Sequence, residues 1–149
     1  MTQSAFQLET FLPYLLNQAA EASSLSFQKA YKGKYGMLRT EWRVLFHLGL
    51  YGSMTASEIG ARAKLHKTKI SRAVQRLTTR RMITRARDEA DRRVEHLTLT
   101  PTGRAAYADL RQIAERYEAE LVAGLSPAEV QALRRALIKL SEVRAVSFT

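Results

Sequence analysis

Thr55 and Glu58 stand three positions apart at the head of the run TASEIGARA. A pair of this kind starts a helix, because the hydroxyl and the carboxylate each satisfy a free backbone N–H of the first turn. The spacing therefore predicts a short helix from Ala56 to about Ala63. A tight turn at Lys64 to His66 leads into a second helix running to about Arg80, with Ile70, Ala73, Val74 and Leu77 as its inward stripe. Two short helices joined by so brief a turn read as a helix-turn-helix. The period then changes. Met82 to Arg87 and Val94 to Thr100 read as strands, Leu97 and Leu99 alternating with His96 and Thr98, around the polar tip DEADRR. This is a two-stranded hairpin. Thr100 followed by Pro101 then starts another helix, since proline suits the first helical turn.

The flanks are helical as well. Leu8, Phe11, Leu12, Leu15, Leu16 and Ala19 recur at helical spacing between Phe6 and about Tyr31, and Pro13 requires either a helix start near Leu12 or a kink. The glycines of KGKYG, Lys32 to Gly36, break that helix. A further helix follows through LRTEWRVLFHLGLYG, with Thr40 as the expected N-cap, Trp42, Leu45, Phe46 and Gly49 on one face, and Gly52 and Ser53 at its end. Beyond Pro101 the helix extends to about Gly124. Ser126-Pro127-Ala128-Glu129 is a second capping box, and behind it Val130, Leu133, Leu137, Leu140 and Val143 fall at near-heptad spacing. Such a seam suits helix pairing between two chains, and packing within one chain meets the same periodicity equally well.

Charge narrows the function. Residues 62 to 104 hold 13 Lys/Arg against four acids, +9 of the formal +10 of the whole chain, so the remainder is close to neutral. Positive charge concentrated on folded elements is the footprint of a surface that meets a polyanion. No run approaches the roughly 18 apolar residues of a membrane span, and the start lacks the basic region of a signal peptide, so a cytoplasmic protein is expected. The absence of Cys excludes disulfides, thiolate zinc sites and thiol redox chemistry. His47, His66 and His96 are too scattered for a metal site by spacing, and neither a nucleophile with its base nor a phosphate-cradling glycine loop is present. No cofactor and no enzymatic activity are expected.

With Ile70, Val74 and Leu77 inward, the 100° helical step puts Thr68, Arg72, Gln75 and Thr79 on the opposite side, flanked by Lys69, Ser71 and Arg76. Hydroxyl, amide and guanidinium groups on one exposed face are the chemistry that reads base edges and phosphates in a major groove. Arg72 is the best single candidate for a base contact. Lys67 and Lys69 oppose the helix dipole at a cost of about 0.3–1 kcal/mol for each nearby charge, an arrangement that suits a phosphate at that terminus. In the hairpin, Arg80, Arg81, Arg85, Arg87, Arg92 and Arg93 outnumber the local acids, as suits a narrow minor groove. Asp91 is expected to orient Arg93 or to tie the hairpin to its base.

The runs TEWRVL, TASEIGARA, KTKISRAVQRL, ITR and DRRVEHLTLTPTGR resemble the MarR family of winged helix-turn-helix regulators across at least residues 38 to 104. Asp91, Arg93, Leu99, Thr100 and Gly103 match that family's most specific signature. The resemblance implies a mainly α fold with a small β-hairpin, in which residues 38 to 104 form the winged helix-turn-helix DNA-binding lobe. Residues 1 to 35 and 105 to 149 then form a helical dimerisation region of a homodimer on double-stranded DNA. It implies Arg93 as the wing residue entering the minor groove and Arg72 as the base reader. It also implies a repressor released by a small aromatic or phenolic ligand. Trp42 and Phe46, with Tyr35 and Arg39 just before them, are candidates to line an apolar cavity with a cation for a carboxylate, although such spacing belongs more often to core aromatics. Tyr14 and Asn17 are further candidates. The competing reading is a constitutive architectural DNA binder without ligand response. Two positions depart from the family pattern. Arg81 stands where glycine is usual past the recognition helix, at a cost of roughly 1 kcal/mol if the residue must be left-handed, so the helix is expected to end differently. His66 stands where an acid or hydroxyl usually caps the recognition helix.

Overall fold

The computed structural model describes residues 5–143; the parts of the expected dimerisation region at 1–4 and 144–149 lie outside them. The chain divides into two compact units, one up to Ala114 and one from Glu115 onward.

In the first unit, a 3-10 turn at Leu8–Thr10 precedes helix α1, Leu12–Gln28. Pro13 lies in the first turn of α1, where its missing N–H costs nothing, so the helix starts there rather than kinking. KGKYG ends the helix as expected, but at its second glycine: a π-helical turn, Lys29–Lys34, carries the chain through Gly33, and the reversal comes at Gly36, with φ +63. Helix α2 spans Arg39–Tyr51. Its N-cap is Leu38, not Thr40: leucine offers no acceptor, and Glu41 reaches back to accept from the Leu38 N–H at 2.8 Å.

Met54–Thr55 then forms a short strand, β1, before α3, Ala56–Ala63. Thr55 and Glu58 make both bonds of the capping box, at 3.1 and 3.0 Å. Helix α4 spans Lys67–Thr79. His66 caps it through Nδ1, which accepts from the Thr68 N–H at 3.2 Å and must be unprotonated to do so. The wing strands are β2, Ile83–Arg87, and β3, Glu95–Leu99. The sheet has three strands rather than two, in the order β1-β3-β2, all antiparallel. Met54 faces Leu97, and Ile83, Arg85 and Arg87 face Leu99, Leu97 and Glu95.

The end of α4 also differs from expectation. Arg81 is left-handed, with φ +60. Its N–H bonds Thr78 O at 2.9 Å, and the Met82 N–H bonds Leu77 O at 2.9 Å. This is the pairing of a Schellman motif, closed by the buried Leu77 and Met82. The glycine position of the family is therefore kept, with an arginine in it.

Met37, Leu45, Ile59, Ile70, Leu77, Ile83, Leu97 and Leu110 are all essentially inaccessible to solvent, so α2, α3, α4, the wing strands and the stretch after Pro101 share one core. Each such side chain contributes about 1.5–3 kcal/mol of burial. Helix α5, Pro101–Leu121, ends a few residues before Gly124. In the second unit, Ser126 and Glu129 form the expected capping box ahead of α6, Pro127–Ser141, and Arg134 hydrogen-bonds Glu118.

Candidate nucleic-acid interface

Helix α4 divides cleanly by side. Ile70, Ala73, Val74 and Leu77 are buried, while Lys67, Thr68, Lys69, Ser71, Arg72, Gln75, Arg76 and Thr79 are exposed. The first turn contains no acid, so its free N–H groups and the two lysines leave that end electropositive. The exposed residues are not equally free. Arg76 lies 3.6 Å from the carboxylate of Glu41, which is itself buried in α2. The Gln75 amide oxygen accepts from Arg85 on β2 at 3.2 Å. Arg72 has no such partner among the described residues.

The wing is built on Asp88. Its Oδ2 accepts from the Ala90 and Asp91 N–H groups at 3.1 and 2.9 Å, and its Oδ1 lies 3.2 Å from His96 Nε2. The Asp91 N–H above all, then His96, holds the Asp88 carboxyl below its ordinary range. Asp91 in turn takes both Nε and Nη2 of Arg93, at 3.0 and 3.2 Å, and also the Arg93 N–H at 3.1 Å. The guanidinium bond first, then the backbone N–H, pulls the Asp91 carboxyl below its usual value, and the same bond raises Arg93. A two-pronged clamp of this kind fixes the plane of the guanidinium. The Arg93 side chain nevertheless stays 91% exposed, extended from the wing with its direction set. Arg87 braces the tip through the Arg92 carbonyl at 3.3 Å, and Arg92 itself is exposed.

The second helix of the helix-turn-helix thus presents an exposed donor face, and the wing of the three-stranded sheet carries a clamped arginine. A family model described as MarR family matches residues 35–94, from the turn before α2 through the wing tip. Over these residues the chain is similar to the MarR family of transcriptional regulators. Its fold matches BpsR of Bordetella bronchiseptica, in a structure that concerns regulation of the DNA binding of BpsR by 6-hydroxynicotinic acid. That match has a TM-score of 0.86 and 25% identity and covers 95% of this chain and all of that one. A MarR family regulator from Silicibacter pomeroyi matches at TM-score 0.77 and 26% identity, over 95% of this chain and 96% of that one. The uncharacterised HTH-type transcriptional regulator YwoH of Bacillus subtilis is 26% identical over 112 residues, 74% of this chain and 81% of its own length.

Of the residues expected to line a ligand cavity, Trp42, Phe46 and Tyr35 all pack against the same core, whereas Arg39, Tyr14 and Asn17 are exposed. Trp42 and Phe46 sit edge to face at 5.2 Å within an aromatic cluster that includes Phe27, Tyr31 and Tyr107. Tyr35 donates its hydroxyl to Asp109 at 2.5 Å; burial, then that bond, pushes its pKa up to about 12. Arg39 is exposed on the first turn of α2. Tyr14 and Asn17 are exposed on α1; Tyr14 lies roughly 20 Å of helix rise before Phe27. Two atoms that sequence reasoning did not single out are Trp42 Nε1 and Tyr107 Oη, both buried with no hydrogen-bond partner among the described residues. Glu41 was missed too. Its signal was its place three residues after Leu38, hidden by the choice of Thr40 as cap.

Among the described residues there is no cluster of three metal-ligating side chains, and no helix is long and apolar enough to cross a membrane.

Proposed function

We propose that the chain is a homodimeric, sequence-specific DNA-binding regulator, a repressor released by a small aromatic acid and working in the cytoplasm beside the DNA it controls. The observation that carries this reading is the single exposed donor face of α4, Thr68 to Thr79, beside a wing whose Arg93 is clamped yet open to solvent. Thr68, Ser71, Arg72 and Gln75 are positioned to read base edges. Lys67, Lys69 and Arg76 serve as phosphate anchors, and Arg87, Arg92 and Arg93 follow the adjacent minor groove.

Dimerisation is supported by apolar side chains left open in the single chain. Leu12 and Leu15 on α1, and Leu133, Leu137 and Leu140 on α6, are all more than two-fifths exposed. Ligand response is supported by the similarity to BpsR, whose DNA binding is regulated by 6-hydroxynicotinic acid. It is supported as well by Trp42 Nε1 and Tyr107 Oη, two polar atoms in the buried aromatic cluster without a hydrogen-bond partner among the described residues. Tyr14, Asn17, Tyr35 and Arg39 remain candidates to line the ligand site.

The test is selection of sites from a random duplex library, followed by footprinting. The reading predicts one protected palindrome with half-sites about one helical turn apart. Uniform low-affinity coverage would favour an architectural DNA binder and refute it. Release of the selected duplex by an aromatic acid found in a thermal-shift screen would establish the effector half.

A further inference from the structure

We infer that Arg85 determines base preference in the major groove by holding the Gln75 amide, so that Gln75 offers the groove only its N–H donors. The inference rests on the DNA-binding reading above and deepens it. The register of the wing places Arg85 opposite Leu97, on the core-facing side of the sheet one step beyond Ile83, which directs it over α4. Its Nη2 donates to Gln75 Oε1 at 3.2 Å, its Nε to Thr78 Oγ1 at 3.4 Å, and its Nη1 lies 3.7 Å from Glu95 Oε2. Glu95 and Thr78 therefore fix the guanidinium from two sides while its remaining edge meets Gln75.

A guanidinium has donors and no acceptor, so the amide atom facing it must be the oxygen. Reading adenine with glutamine needs that oxygen to accept from N6 while the amide nitrogen donates to N7. With Oε1 turned to the wing, only the nitrogen is available to a base. Guanine presents two acceptors in the major groove and thymine presents O4, whereas adenine sets beside its one acceptor, N7, an N6 donor that a donor-only amide edge opposes. The operator position that Gln75 meets is accordingly guanine or thymine, with adenine disfavoured. Arg85 acts through Gln75 as a positioning residue, and its effect is visible in preference rather than in total affinity.

The experiment is site selection with the full chain and with Gln75→Ala, Arg85→Met and Arg85→Lys, each checked for an unaltered melting temperature. Gln75→Ala marks the position that Gln75 reads, by flattening preference there. The wild-type chain is expected to select guanine or thymine at that position. Arg85→Met keeps the stem but removes the donors, and should raise the relative affinity of the adenine-containing site by about tenfold, the low side of what a bidentate pair discriminates. Arg85→Lys, with a single donor in reach, should keep part of the wild-type preference. Adenine at that position in the wild-type site, or an Arg85→Met chain weakened equally on every sequence, overturns the inference. A site that Gln75→Ala leaves unchanged overturns it as well, with DNA binding intact. If the wild-type chain selects no site at all, the functional reading itself fails and this inference with it.

Discussion

Replacing Gly103 by alanine puts a methyl group where α5 crosses the start of the wing. A Cβ there would lie 2.0 Å from Met82 O, 2.9 Å from the Met82 carbonyl carbon and 3.3 Å from Leu99 Cδ2. Ordinary C···O contacts begin at about 3.3 Å, so the helix start must retreat by more than about 1 Å. Neither neighbour can yield easily. Met82 O accepts from the Thr100 N–H at 3.0 Å, and Thr100 Oγ1 bridges Arg81 O and the Gly103 N–H at 2.6 and 3.0 Å. Overpacking costs about 1–3 kcal/mol and the strained Thr100–Met82 bond about 0.5–1.5 kcal/mol, together about 1.5–4.5 kcal/mol of a total stability of about 5–15 kcal/mol. Urea unfolding at fixed protein concentration, which a dimer requires, should show a lower midpoint at unchanged slope. The melting temperature should fall by roughly 5–15 °C. Gly33→Ala is the control: it meets nothing within 4 Å, and should be neutral or stabilising by about 0.4–1 kcal/mol. If Gly103→Ala cost no more than Gly33→Ala, the close approach of α5 to the wing would be wrong.

Arg81→Gly should stabilise the chain, since relief of the left-handed conformation gains about 1–2 kcal/mol and the freer unfolded glycine takes back about 0.4–1 kcal/mol. A lower urea midpoint for this variant would refute the Schellman ending of α4. Thr55→Ala removes one bond of the capping box and should cost about 0.5–2 kcal/mol in the same assay. Because the Asp91 carboxyl is depressed in the folded chain, its contribution to the wing is complete above its unfolded value of about 3.9 and is lost as pH falls through the lower folded value. Carbon NMR should place the Asp91 titration below about 3.9, with the Arg93 Nε–H signal moving alongside it; a midpoint at or above that value would contradict the clamp.

What the sequence made legible and what it hid divide by distance along the chain. The boxes at Thr55/Glu58 and Ser126/Glu129 could be read because both partners lie within one turn, and the donor face of α4 because the buried stripe fixes its opposite side. The Asp91–Arg93 clamp spans two residues and was readable for the same reason. Leu38 was hidden because it caps α2 with no acceptor of its own, the bond coming back from Glu41. Strand β1 is only two residues long, too short for a period, and exists because Met54 meets Leu97 across the sheet. Arg81 is held left-handed by the contact it closes between Leu77 and Met82, which outweighs its own preference. The bonds from Arg85 to Gln75 and from Arg76 to Glu41 depend on strand register and on helix packing. No local pattern encodes either.

If α4 reads sequence through Arg72 while its N-terminal lysines hold phosphate, the two roles separate by sequence and by salt. The most direct measurement is binding of wild-type, Arg72→Ala and Lys67→Ala chains to the selected duplex and to single-base variants of it, across a range of salt. Arg72→Ala should lose about 1–3 kcal/mol on the selected site and relax preference at one base pair, whereas Lys67→Ala should weaken all duplexes alike and lower the salt slope by about one. An Arg72→Ala chain that bound with wild-type preference would contradict the account.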